Sequence, residues 1–135
     1  MLVVLDCNIW LSFAITYKLE YIDQLEKLYN TKIATCKELS DELSLVLFRP
    51  KFRKYLTIEA VHKLMFFHHS ITQTYILQDI VSVVPDEKDN YLFALCAISN
   101  ADYFVTGDKL LLDVDTYKHT KVITLADFKA IINSL

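Results

Sequence analysis

The chain has 135 residues, 53% of them hydrophobic and 23% charged, with 14 Lys and Arg against 17 Asp and Glu for a net charge of -3. That length sets a single domain over residues 1–135, and the apolar content outweighs the entropy of ordering, which excludes a disordered chain. One glycine, Gly107, and two prolines exclude collagen-like sequence and both glycine-rich phosphate-binding loops. The mild acidity excludes a strongly basic nucleic-acid binder, but bound cations or a local basic patch can still offset it.

Residues 2–5, Leu-Val-Val-Leu, form a short apolar run of the kind found in a strand buried on both faces. Residues 9–18 and 20–29 read as helices, the second with Tyr21, Ile22, Leu25 and Leu28 along one stripe. Ile33-Ala34-Thr35 predicts a short strand. Thr35 with Glu38 has capping-box spacing before a helical stripe of Leu39, Leu43, Val46 and Leu47. Pro50 ends that helix inside the one concentrated basic segment, residues 49–54.

Thr57 is placed to cap a helix running to about residue 68. The 70–77 stretch favours a strand from its Ile, Thr and Tyr content. Asp86 and Asp89 have N-cap and N3 spacing before an apolar helix over 87–99. Tyr103-Phe104-Val105-Thr106 is a second buried strand. Val122-Ile123-Thr124 is the last strand, and Thr124 with Asp127 starts a terminal helix. Strands alternating with helices predict a three-layer α/β/α domain with a mostly parallel central sheet.

Cys7, Cys36 and Cys96 are an odd, widely spaced set without a CxxC pair, so they read as core residues rather than a disulfide or zinc framework. His62, His68, His69 and His119 lack zinc spacing and read as incidental. Trp10 and Phe13 read as packing or an oligomer surface, with base stacking the weaker alternative. No signal peptide or membrane span is recognisable, so a reducing cytoplasm is the expected location.

In parallel sheets, ligands sit beyond the carboxyl ends of the strands. That rule selects Asp6 after the first strand and Asp108 after the 103–106 strand. It also admits Asp89 in the first turn of the helix after Pro85, and Glu42 in the helix after the second strand. Carboxylates gathered together repel, and a hard divalent cation such as Mg2+ or Mn2+ resolves the repulsion. Each acid also has a structural reading. Asp6 and Asn8 suit helix caps, and Glu42 sits among Glu38 and Asp41 on a solvated face. Asp86 suits an N-cap with Asp89 as its N3 acid, and Asp108 can cap a tight turn in which Gly107 takes a left-handed or crowded conformation. Arg49, Lys51, Arg53 and Lys54, with Lys63, form either a phosphate-binding patch or a solvated surface. Lys109 either reaches the acids or is exposed.

Together these segments resemble the PIN-domain family, and in particular the toxin branch of bacterial type II toxin–antitoxin systems. The resemblance rests on Val4-Leu5-Asp6-Cys7-Asn8, on Leu47-Phe48-Arg49-Pro50-Lys51-Phe52 and on Val84-Pro85-Asp86-Glu87-Lys88-Asp89-Asn90. It rests also on Asn100 through Asp108, continued by Lys109-Leu110-Leu111. It spans essentially the whole chain and implies a Mg2+- or Mn2+-dependent endoribonuclease acting on RNA, with a separate antitoxin protein as partner and a homodimer as the assembly. It implies Asp6, Glu42, Asp89 and Asp108 as catalytic metal ligands, supported by Asn8, Thr106 and Asp86, with Arg49, Lys51, Arg53 and Lys54 on the RNA backbone. One departure is Leu110, which stands where relatives commonly carry a further acid. Two rival readings are an aspartyl-nucleophile phosphatase, which would want a second acid at Asn8, and a catalytically inactive binding module of the same fold.

Overall fold

The computed structural model describes residues 1–135. Leu2–Leu5 forms β1, Lys32–Cys36 β2, Thr72–Tyr75 β3, Tyr103–Val105 β4, Thr116–Tyr117 β5 and Thr120–Ile123 β6. They make one sheet in the order β3-β2-β1-β4-β6-β5, parallel throughout except for the β5–β6 hairpin at one edge. The helices are α1 Cys7–Ile15, α2 Leu19–Tyr29, α3 Lys37–Leu47, α4 Ile58–Ile71, α5 Asn90–Ser99, the single turn α6 Lys109–Leu112 and α7 Leu125–Asn133. From β1 the chain steps through β2 to β3 on one side, then returns to β4 and steps to β6 on the other. Right-handed crossovers built outward in two directions place helices on opposite faces, which is the expected α/β/α arrangement. Trp10, Phe93, Phe104 and Phe128 are fully buried at the centre, with Phe93 edge-on to Phe104 at 5.6 Å between centroids. No helix is long and apolar enough to cross a membrane.

The expected caps at Thr57 and Thr124 form, accepting from the backbone N–H of Ala60 and Asp127 at 3.0 and 3.1 Å. The capping box of Thr35 and Glu38 does not. β2 runs one residue further than expected, so Cys36 takes the N-cap position without a side-chain bond. Thr35 turns inward, its Oγ1 lying 2.9 Å from Nε2 of His68. His68 is therefore not incidental: it is fully buried, with Ser40 Oγ at 3.3 Å from the same nitrogen and Trp10 packed edge-on at 4.4 Å. Trp10 has no exposed surface, which leaves packing as its role and excludes the oligomer or stacking alternatives. Phe13 is buried too and stacks on Tyr21 at 5.5 Å.

Helix α1 begins earlier than expected, directly after its N-cap residue Asp6, and ends earlier because Tyr17 takes a left-handed φ of 57°. Residues 87–99 divide into a 3₁₀ turn, Glu87–Asp89, and α5. The three cysteines are free and buried, and burial pushes their thiols up to about 12 at Cys7, about 11 at Cys36 and about 12 at Cys96, so they stay protonated in the core.

Gly107 departs from its expected role. Its φ is not positive, and a Cβ built on it meets nothing within 4 Å. The turn is held instead by Thr106, whose Oγ1 accepts from the Asp108 backbone N–H at 3.1 Å. Gly107→Ala is therefore expected to stabilise the fold by about 0.4–1 kcal/mol through the unfolded chain. Urea denaturation of the two proteins checks this, and a loss of stability would show that the turn needs glycine.

Candidate active site

β1 and β4 are neighbours from which the chain departs in opposite directions, so the crevice beyond their carboxyl ends is the switch point of the sheet. Asp6 follows β1 and is buried. It does not cap α1 with its side chain. Its Oδ2 accepts from Thr106 Oγ1 at 2.7 Å across the switch point. Thr106, fully buried, thus donates to Asp6 and accepts from the Asp108 backbone, fixing both acids to β4. Asp108 caps α6, its Oδ1 accepting from Leu110 N–H at 2.9 Å. Leu110 supplies that N–H while its own side chain is exposed.

These acids open on one cleft of about 290 Å³, lined by Asp6, Asn8, Glu42, Asp86, Asp89 and Asp108 together with Arg49, Lys51 and Lys88, and with Leu11, Val46 and Phe52 as its apolar wall. All four carboxylates singled out as metal ligands therefore line one space, although they come from α3, from the start of α5 and from the ends of β1 and β4. Burial raises the Asp6 carboxyl, only partly offset by the Thr106 hydroxyl and the Cys7 backbone, and the charges of Glu42 and Asp108 raise it further. Asp89 is pushed up to about 6, first by burial and then by Asp86, Asp6 and Asp108. Burial and, after it, mutual repulsion therefore both disfavour the ionised forms, and a cation among these carboxylates would relieve the repulsion. The donors are hard oxygens, which suits Mg2+ or Mn2+. No three acidic, histidine or cysteine side chains are drawn into a ready coordination cluster, so the carboxylates ring the cleft rather than close on one point.

The basic segment divides. Arg49 and Lys51 line the cleft, whereas Arg53 and Lys54 do not. Arg53 is spent on structure: its guanidinium donates to the carbonyl of Leu47 at the end of α3 and to that of Leu56 at 3.1 Å. Such bonds satisfy carbonyls left open at a helix C-terminus. Lys54 Nζ lies over the Tyr55 ring at 5.0 Å. Asp86 caps the 3₁₀ turn through Lys88 N–H at 3.4 Å, and its Oδ2 lies 3.6 Å from Lys88 Nζ.

Three contributors were not anticipated. Lys88 adds a cation to the rim. Asn90, buried, accepts from Val83 and Val84 N–H at 2.9 Å each, pinning the strap that delivers Asp86 and Asp89. An amide opening an otherwise apolar helix was the available signal for it. Tyr91 donates its hydroxyl to Oε2 of Glu42 across 49 residues of sequence, and nothing local announced that. Burial, then the Glu42 bond and charge, push the Tyr91 phenol up, so it remains a donor.

A sequence profile described as a PIN domain matches residues 2–110. No curated protein sequence matches the chain. Among solved structures, a chain of the crystal structure of VapBC2 from Rickettsia felis bound to a DNA fragment from their promoter shares the fold with a TM-score of 0.62 at 15% identity. The alignment covers 92% of this chain and 98% of that one.

Proposed function

This chain belongs to the PIN-domain family of nucleases, and from that premise we propose that it is a metal-dependent endoribonuclease, hydrolysing RNA phosphodiesters as the toxin of a type II toxin–antitoxin pair. The observation that carries the reading is the meeting of Asp6, Glu42, Asp89 and Asp108 in one cleft at the β1–β4 switch point, with Arg49, Lys51 and Lys88 beside them. Those four acids would hold Mg2+ or Mn2+, which when bound neutralises the carboxylates, activates water and offsets charge developing on the phosphate.

The chain's own groups supply the rest. Thr106 holds Asp6 in place, so its second oxygen is aimed without reorganisation. Arg49 and Lys51 bind flanking phosphates and set the register of the RNA backbone. Asn8, exposed at the cleft edge, offers an amide to the substrate or to Asp6. Asp86 and Lys88 line the same cleft.

The partner in this reading is an antitoxin protein, the assembly a homodimer and the location the cytoplasm. An apolar groove lined by Ala14, Tyr17, Leu19, Leu56, Ala60 and Leu64 offers surface for a protein partner. The family match favours the nuclease over the aspartyl-phosphatase alternative.

Incubating single-stranded RNA with the purified protein tests the activity. Cleavage is expected with Mg2+ or Mn2+, is abolished by EDTA and returns on adding Mn2+ in excess. A folded protein that cuts no RNA under any of these conditions would instead be the binding module.

A further inference from the structure

The hydroxyl of Tyr91 is buried between α5 and α3, where it reaches Oε2 of Glu42. Tyr91 is only 8% exposed, and it stands two residues after Asp89 in the first turn of α5. Glu42, by contrast, is half-buried on α3 with no other side-chain or backbone donor. A glutamate has three side-chain torsions, so on an otherwise free helix face its carboxylate samples several positions. One hydrogen bond from a rigid, buried ring removes most of that freedom and leaves Oε1 without a protein donor. Asp89 is the N-cap residue of the same helix, so the bond also ties the α3 acid to the acid at the start of α5. These two acids have no strand end to hold them, unlike Asp6 and Asp108, which share Thr106.

We propose that Tyr91 is a positioning residue for the divalent cation site, holding Glu42 so that its free oxygen faces the cleft. This rests on the metal-dependent reading given above. Partners that orient a ligand from behind typically contribute about 10–100-fold to metal affinity. Tyr91→Phe keeps the ring in the core and removes only the hydroxyl. A merely structural role for Tyr91 would loosen α5 and act through Asp89, independently of Glu42. A positioning role acts through Glu42 and disappears when Glu42 can no longer serve as a ligand.

The test is Mn2+ binding to the whole protein by isothermal titration calorimetry, for wild type, Tyr91→Phe, Glu42→Gln and the double variant, with circular dichroism confirming that each is folded. The expected result is a loss of affinity of about 10-fold or more in Tyr91→Phe, and no further loss when Tyr91→Phe is added to Glu42→Gln. Wild-type affinity in Tyr91→Phe, or an equal loss on both backgrounds, overturns the inference alone. A wild-type protein that binds no Mn2+ overturns the metal-dependent reading and this inference with it.

Discussion

Asp6→Asn is expected to give a protein that melts at a higher temperature in EDTA and has lost RNA cleavage by at least about 100-fold. Both effects come from removing one buried charge. In the folded chain, burial holds the Asp6 carboxyl above its ordinary value, and Glu42 and Asp108 add to the shift. An acid whose folded pKa is raised binds its proton more tightly in the native state. Stability is therefore lost as pH climbs from the ordinary value through the folded one, and at neutral pH the ionised group works against folding. Asparagine removes that charge and still accepts from Thr106 through its amide oxygen. The loss of activity follows from the proposed function, in which a cation held by these acids would supply several kcal/mol of charge stabilisation, and about 1.36 kcal/mol is a factor of ten in rate. Melting curves in EDTA and cleavage rates in Mn2+ measure the two halves separately. Unchanged cleavage in Asp6→Asn would remove it from the catalytic set. Stability traded for a repulsive active site is the general pattern such a result would extend to this protein.

The second large effect is an acid sensitivity set by His68, which does not line the acidic cleft. Burial, with His69 adding to it, lowers the imidazole from its ordinary 6.5 to about 4. Nδ1 is buried without a partner, so a second ring proton would find no acceptor. Between those two values the unfolded chain binds a proton that the folded one refuses. Stability is complete above 6.5 and falls as pH drops towards about 4, at about 1.36 kcal/mol per pH unit, for a total of about 3 kcal/mol. Asp89 acts in the opposite sense, gaining stability for the fold as pH falls through about 6. The contribution of His68 is therefore read as a difference between wild type and His68→Gln. Urea denaturation at about pH 7 and about pH 4.5 is expected to show His68→Gln weaker at the higher pH and much closer to wild type at the lower. A gap that does not narrow on acidification would mean that His68 carries a charge in the native core.

The parts of this molecule that were legible in the sequence are those determined locally. Leu2–Leu5 and Tyr103–Val105 read as buried strands because a strand covered on both faces needs no alternation. Thr57 and Thr124 announced their helices because a cap and its N–H are three residues apart. Asp6, Asp108, Glu42 and Asp89 all follow from the rule that chemistry gathers at strand ends, but Glu42 and Asp89 have equally good structural readings, and it is the family resemblance that lifts them above those. What stayed hidden depends on distant neighbours. Arg53 looked like its basic companions until the carbonyls of Leu47 and Leu56 claimed it. His68 looked incidental because its partners, Thr35 and Ser40, arrive from elements 33 and 28 residues away. Gly107 drew notice by its rarity, yet a threonine hydroxyl makes the turn. The β5–β6 hairpin escaped because its turn uses Lys118 at a φ of 52° rather than a glycine.

Whether the four carboxylates hold a metal is answered by a crystal of the wild-type protein soaked in Mn2+, with the metal located by its anomalous scattering. A peak is expected in the cleft at the β1–β4 switch point, within ligand distance of carboxylate oxygens from Asp6 and Asp108 and from Glu42 or Asp89. Manganese bound elsewhere on the protein, with none among these carboxylates, would contradict it.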